Sequence, residues 1–228
     1  MSTIPFPLFH GTSSAFLPSI FEHGLGGRNP VASARAVECL KRLITLADNH
    51  LQDQESWESK RYVLELVTQQ RVTGANMNFR HGGAYCSPLE NTAVKYALSN
   101  KHGSEIFSDC IGLYRELLIL APETVSFLRA EFPEIYELDK SDSLPVLLTL
   151  RDVPVDALST EQGEDPAESI AFVSSVTTNL DMIILQQKNF ELIKPVPADK
   201  ITARYIDVRR KDPFFPQYVL SERPPSKN

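Results

Sequence analysis

The sequence predicts an α+β domain. Two long helical stretches fall in the first third of the chain, and apolar strand-like runs concentrate in the second half. Two glycine-bearing stretches, Leu8–Ser14 and Gly82–Ser87, each carry the chain from a short apolar run toward a helix.

Ile4 to Phe9 reads as a short strand with Pro5 and Pro7 near its start, where prolines are tolerated. It ends in His10-Gly11-Thr12-Ser13-Ser14, which predicts an imidazole at a sheet edge, a backbone open to close approach at Gly11, and hydroxyl donors where the next helix begins. Ser13 or Ser14 would cap a helical piece from Ala15 to His23, with Phe16, Leu17, Ile20 and Phe21 on one side and Gly24-Leu25-Gly26-Gly27 as its stop.

Residues 30 to 52 read as a helix, with Val37, Leu40, Ile44, Ala47 and Leu51 at helical spacing. A second runs from about Trp57 to Gln69, although Tyr62 to Val67 is also rich in strand formers. Both stripes read as scaffold. Asn78 to Pro88 then brings Arg80-His81, the glycine pair Gly82-Gly83, and Tyr85-Cys86-Ser87. Pro88 stands where a helix carrying Leu89, Ala93, Tyr96 and Ala97 would begin. Leu113 to Leu120 fits strand or buried helix, and Pro122 to Ala130 helix. Further strands are expected at Leu144–Leu150, Ile170–Val176, Met182–Leu185, Phe190–Ile193 and Ile201–Val208. Ser159 to Pro166 reads as an acidic surface loop, and the stretch after Arg209 as an extended tail.

Composition bounds the function. The 228 residues suit one domain, spanning 1–228, with about 30–70 as a helical insertion and about 209–228 as the tail. A net charge of −6 argues against a general nucleic-acid binder. Cys39, Cys86 and Cys110 are too few and too scattered for a disulfide framework or a zinc site, so no metal is expected. No apolar run is long enough for a membrane span, and Met1–Pro7 lacks the features of a signal peptide, so cytoplasmic residence is expected. Export as an effector by a dedicated machine would leave the same sequence.

Two motifs then point in one direction. Phe9-His10-Gly11-Thr12 is followed by Gly24-Leu25, fourteen positions after His10, and Gly83-Ala84-Tyr85 with Ser87 is followed by Tyr96, eleven positions after Tyr85. In residue type, spacing and order the chain resembles ADP-ribosyltransferases of the diphtheria-toxin-like and poly(ADP-ribose)-polymerase-like branch, which use a His–Tyr–Glu set. The resemblance covers residues 8–25 and 82–97. It implies two packed, mainly antiparallel sheets around an NAD cleft. It also implies an NAD-binding set of His10, Gly11, Thr12, Ser13, Gly83, Tyr85, Ser87 and Tyr96. His10 would meet the adenosine ribose, Gly11 the nicotinamide amide, and Tyr85 and Tyr96 would sandwich the nicotinamide ring.

The third member of the set is a carboxylate opening a late strand. Leu185 to Asp199 offers Glu191, with Asn189 at the position an ungapped match selects. Glu191, Asn189 and Tyr85 are therefore the catalytic candidates; an amide at this position would orient a nucleophile without acting as a base. The activity implied is mono-ADP-ribosyl transfer from NAD, the co-substrate, to a macromolecular acceptor, a protein before a nucleic acid, with no membrane partner. The alternatives are an inactive NAD-binding interaction module, an RNA 2′-phosphotransferase-like enzyme and a nucleic-acid ADP-ribosylating enzyme.

Overall fold

The computed structural model describes residues 2–70, 79–176, 184–210 and 216–224. The chain is mixed α/β with two antiparallel sheets, as the α+β expectation requires. It divides into two compact units. One comprises Met1–Arg28, Gly83–Gly103 and Ser143–Asn228, and the other Asn29–Gly82 and Ser104–Asp142.

Among the described residues, the first unit holds all the strands. Strands β1 (Leu8–Ser13), β3 (Pro145–Leu150), β6 (Ile201–Arg210) and β7 (Gln217–Ser221) form one sheet in the order β1-β3-β6-β7. Strands β2 (Ala84–Cys86), β4 (Leu158–Thr160) and β5 (Phe190–Leu192) form a second, in the order β2-β5-β4. Alternation along the strands gives each sheet two different faces. Leu8, Val146, Leu148 and Leu150 of the larger sheet pack in one buried cluster with Ala84, Cys86, Leu158, Phe190 and Leu192 of the smaller. The opposite face of the larger sheet, carrying Phe9, Leu147 and Ile206, packs on Ala93, Val94 and Ala97 of helix α5 (Glu90–Ser99).

Helix α1 (Leu17–His23) follows β1 after a single 3-10 turn at Ser14–Phe16, and stops at Gly24, whose φ of 78° is one a side chain rarely adopts. The second unit is helical: α2 (Pro30–Ser33), α3 (Ala36–Asp48), α4 (Trp57–Gln69), α6 (Glu105–Leu120), α7 (Pro122–Val125), α8 (Leu128–Glu131) and α9 (Pro133–Lys140). Helix α3 buries Cys39, Leu40, Leu43, Ile44 and Ala47, and α6 buries Phe107, Cys110, Ile111, Tyr114 and Leu117.

Several expectations are corrected. The first strand begins at Leu8 and runs through His10-Gly11-Thr12 to Ser13 instead of ending there. Pro5 and Pro7 have no N–H to give a ladder, so regular pairing with β3 starts after them. The helix expected over 30–52 is broken at Ala34–Arg35, where Arg35 turns left-handed with φ of 52°. Tyr62–Val67 and Leu113–Leu120 are both helix. Ser104, whose hydroxyl accepts from the Phe107 amide at 3.5 Å, starts the second of these well upstream of the apolar run. Pro122 to Ala130 is two short helices instead of one.

Ile170–Val176 is not a strand. Its residues 170–175 belong to α10 (Ala167–Ser175), and just ahead of that helix Asp165 Oδ1 accepts from the Ala167 amide at 2.8 Å. Met182 and Ile183 of the expected Met182–Leu185 strand lie outside the described residues, and Ile184 and Leu185 are helical. Ser159 and Thr160 belong to β4, leaving a shorter loop than expected. Gln217–Ser221 of the expected tail is a paired strand beside β6.

Among the described residues no helix is long and apolar enough to cross a membrane. The three cysteines are buried and unbridged, and burial pushes the Cys86 thiol above its ordinary pKa. In the helical unit, the His81 amide donates to Gln70 Oε1 at 2.8 Å, and burial holds the His81 imidazole down to a pKa of about 4.

Candidate active site

The site grows out of a divergence between β1 and β2. The two strands bridge at Phe9 and Ser87, each amide donating to the other's carbonyl at 2.8 Å. Continued by two residues, that antiparallel register would set Gly11 against Tyr85. Instead, β2 turns away and Tyr85 pairs with Glu191 of β5. The strands open there into a V.

Gly11 lines one wall. The Ser14 amide donates to Leu144 O at 2.8 Å, so even-numbered β1 residues direct their backbone groups at β3 and odd-numbered ones away from it. Phe9 uses that outward direction for Ser87. The N–H and C=O of Gly11 point to the same side, into the V. The absent side chain of Gly11 has a different role from the one expected. A Cβ there would lie 2.0 Å from Ala93 O and 2.9 Å from Ala97 N, so glycine is required by the close approach of α5.

His10 closes the base of the V. Its Nδ1 donates to Tyr85 O at 2.7 Å, a bond that fixes the tautomer and leaves Nε2 as the acceptor of the neutral ring. Burial lowers the His10 pKa, with the Tyr85 carbonyl opposing it, so the ring is neutral near pH 7. Thr12 and Ser13 are buried. The Ser13 hydroxyl accepts from the Ala15 amide at 3.5 Å, and that of Ser14 from the Leu144 amide at 2.9 Å. Ser87, also buried, accepts from the Leu89 amide at 3.2 Å and so sets the start of α5. The hydroxyls of Ser13 and Ser87 are thus engaged in building the frame.

The other wall is the polar face of the smaller sheet. Ala84, Cys86, Phe190 and Leu192 face the core, so Tyr85 and Glu191 share the opposite face, with Ser159 of β4 on the far side of Glu191. Gly83 shows how closely the pair converges. A Cβ on it would sit 2.9 Å from Glu191 Oε1 and 3.2 Å from both Cε2 and Cζ of the Tyr85 ring. Carboxylate and phenol therefore lean over one glycine. Asn189 lies before β5, and its amide Nδ2 donates to Glu161 Oε2 at 3.3 Å. Of the two candidates for the carboxylate position, Glu191 is the one paired with Tyr85.

Tyr96 is half-buried on α5, between Ala93 and Ala97, the two residues whose backbone abuts Gly11. Both tyrosines thus arise from elements that border the V. The turn after α1 joins the same assembly: Leu25 and Val196 exchange backbone hydrogen bonds, each 2.9 Å, tying Gly24-Leu25 to the segment that follows β5. All three stretches read from the sequence are in direct contact in pairs.

Glu161 and Ser159 had no sequence signal as site residues. A three-residue strand carries no legible period, and only its register against β5 brings Ser159 to this face, while Glu161 lies in the turn after β4 beside Asn189. Chemically, the V offers paired backbone donor and acceptor groups on one wall. A neutral imidazole lies at its base, and an aromatic ring beside a carboxylate forms the other wall. Comparison with known proteins finds no family model, no curated protein and no solved structure that matches this chain.

Proposed function

We propose that this chain is an NAD-dependent mono-ADP-ribosyltransferase that moves ADP-ribose to a protein acceptor and releases nicotinamide. The observation that carries the reading is the direct linkage of His10, Tyr85 and Glu191, which lie far apart in sequence. His10 Nδ1 bonds Tyr85 O, and Tyr85 stands opposite Glu191. The resemblance in residues 8–25 and 82–97 supplies the family, and the two packed antiparallel sheets are compatible with its fold.

In this reading the nicotinamide carboxamide bonds the Gly11 N–H and C=O, the groups turned into the V. The Tyr85 ring covers one face of the nicotinamide, and Tyr96 of α5 the other. His10 Nε2 accepts from a ribose hydroxyl. The bond between ribose C1″ and the nicotinamide nitrogen breaks with its electron pair going to nicotinamide, which leaves neutral. The oxocarbenium-like ribose that remains is stabilised by the Glu191 carboxylate, which also takes the acceptor's proton as the new bond forms.

The test is nicotinamide release and NAD affinity for the wild type and His10→Ala. Loss of a buried hydrogen bond predicts NAD affinity weakened about ten- to a hundredfold. Because burial lowers the His10 pKa from its ordinary 6.5, wild-type affinity should stay flat from pH 8 to 6.5 and fall only below that range, as the ring finally protonates. Wild-type NAD binding that ignores the His10 substitution would overturn the assignment.

Gly83→Ala gives a second check. The new methyl displaces the Glu191 carboxylate without touching the hydrophobic core. Turnover should drop about ten- to a hundredfold while the melting temperature shifts by no more than about 2 °C. An unchanged rate would mean that the pose of Glu191 is irrelevant to the reaction.

A further inference from the structure

We infer that Arg204 is a positioning residue for the nicotinamide site: through Glu90 it fixes the seat of helix α5 on the larger sheet, and with it the pose of Tyr96. The inference rests on the transferase reading above.

Helix α5 lies on the face of the larger sheet that carries Phe9, Leu147 and Ile206. The residues it buries there are small: Ala93, Val94 and Ala97. At Gly11 the helix backbone itself comes against the strand. Small side chains permit close approach but make shallow ridges, so they set the rotation of a helix about its axis only loosely. That rotation decides where Tyr96 stands. With 3.6 residues per turn, Tyr96 lies about 60° from Ala93 and about 100° from Ala97, on the flank of the seated face. A rotation of about 20° would carry a ring at the outer radius of the helix, about 5–6 Å from its axis, through about 2 Å.

Glu90 supplies the missing constraint. It is the first residue of α5, one turn before Ala93 and Val94 and on their side of the helix. Both of its carboxylate oxygens are engaged from the sheet. Arg204 Nη2 of β6 donates to Glu90 Oε2 at 3.3 Å and to Thr149 Oγ1 of β3 at 3.4 Å. The Tyr218 hydroxyl of β7 donates to Glu90 Oε1 at 3.1 Å. Strand register puts these groups on the seat itself. Arg204 pairs with Leu147 and Tyr218 with Val208, and Leu147, Val208 and Tyr218 belong to the cluster that holds Ala93 and Ala97.

An isolated exposed ion pair would hold little. Here one carboxylate is gripped by a guanidinium and a phenol from neighbouring strands, and the guanidinium is steadied by a buried hydroxyl on a third. The charge also sits at the helix start, where the macrodipole favours it. Burial and the Glu90 carboxylate hold the Tyr218 phenol above its ordinary pKa, so it stays a donor. In the proposed reaction Arg204 touches no substrate atom and acts through α5.

The experiment is a double-mutant cycle on the full chain, reading NAD affinity by calorimetry for the wild type, Arg204→Met, Tyr96→Ala and the pair together. Arg204→Met should weaken NAD about tenfold or more in the wild-type background and less than about twofold when Tyr96 is already alanine. Arg204→Lys should recover part of the loss, since an ammonium can still reach one of the two acceptors. Tyr218→Phe removes a single hydroxyl and should weaken NAD about threefold, again only when Tyr96 is present; it carries the test if Arg204→Met does not fold. A merely structural role for Arg204 would weaken NAD by the same factor in both backgrounds, and that result would overturn the inference. NAD affinity unchanged in Arg204→Met and in Tyr218→Phe would overturn it as well, in both cases leaving the transferase reading intact. A wild type that does not bind NAD would remove the transferase reading and this inference with it.

Discussion

Glu191→Gln is expected to slow nicotinamide release by about 10²- to 10⁴-fold, with the dissociation constant for NAD changed by less than about threefold. In the proposed reaction the substitution keeps the side chain's shape but removes the charge that would stabilise an oxocarbenium-like ribose and the basicity that would take the acceptor's proton. The Tyr85–Glu191 backbone pairing does not depend on the side chain, so the smaller sheet should survive unchanged. Single-turnover nicotinamide release alongside calorimetric NAD binding separates the two effects. Asn189→Ala is the control. It removes the hydrogen bond to Glu161 and leaves the Tyr85-paired carboxylate in place. If Asn189→Ala were the more damaging of the two, the roles assigned to the third stretch would have to be exchanged.

Gly11→Ala is expected to cost stability before it costs chemistry. The added methyl would meet a helix backbone carbonyl at 2.0 Å and a backbone nitrogen at 2.9 Å, and no rotamer change relieves a clash with main chain. The cost is on the order of 3 kcal/mol or more, which for a chain of this size lowers the melting temperature by about 6–12 °C. Thermal unfolding followed by circular dichroism reads it directly. A melting temperature unchanged within about 2 °C would mean that α5 does not seat on β1 as described.

Gly11 also shows where sequence reasoning succeeds and where it stops. The invitation to close approach is written in the residue type, but what approaches its missing side chain is a helix. The backbone groups turned toward the V become visible only through the register with β3. The same division holds elsewhere. Tyr85, Tyr96 and Gly24-Leu25 are singled out by sequence because their spacing is local and their residue types are distinctive. The choice between Asn189 and Glu191 is not settled there, since a two-residue shift keeps every side chain on the same face; pairing with Tyr85 distinguishes them. Ile170–Val176 reads as strand because a short apolar run has no decisive period, and the turn that leads into the helix is marked only by the Asp165 side chain. The grouping of Ser104–Asp142 with Asn29–Gly82 is a tertiary fact that no local pattern carries.

The bridge between His10 and Tyr85 spans 75 positions of chain, and the partner of Tyr85 lies farther on still. That distance has a consequence for synthesis. A chain emerging from the ribosome at about 5–20 residues per second displays its imidazole and both tyrosines well before its carboxylate exists. Closing such distant partners carries a loop-entropy cost that slows the final step of maturation. Nascent and prematurely terminated chains therefore lack the residue opposite Tyr85 and the strand that carries it.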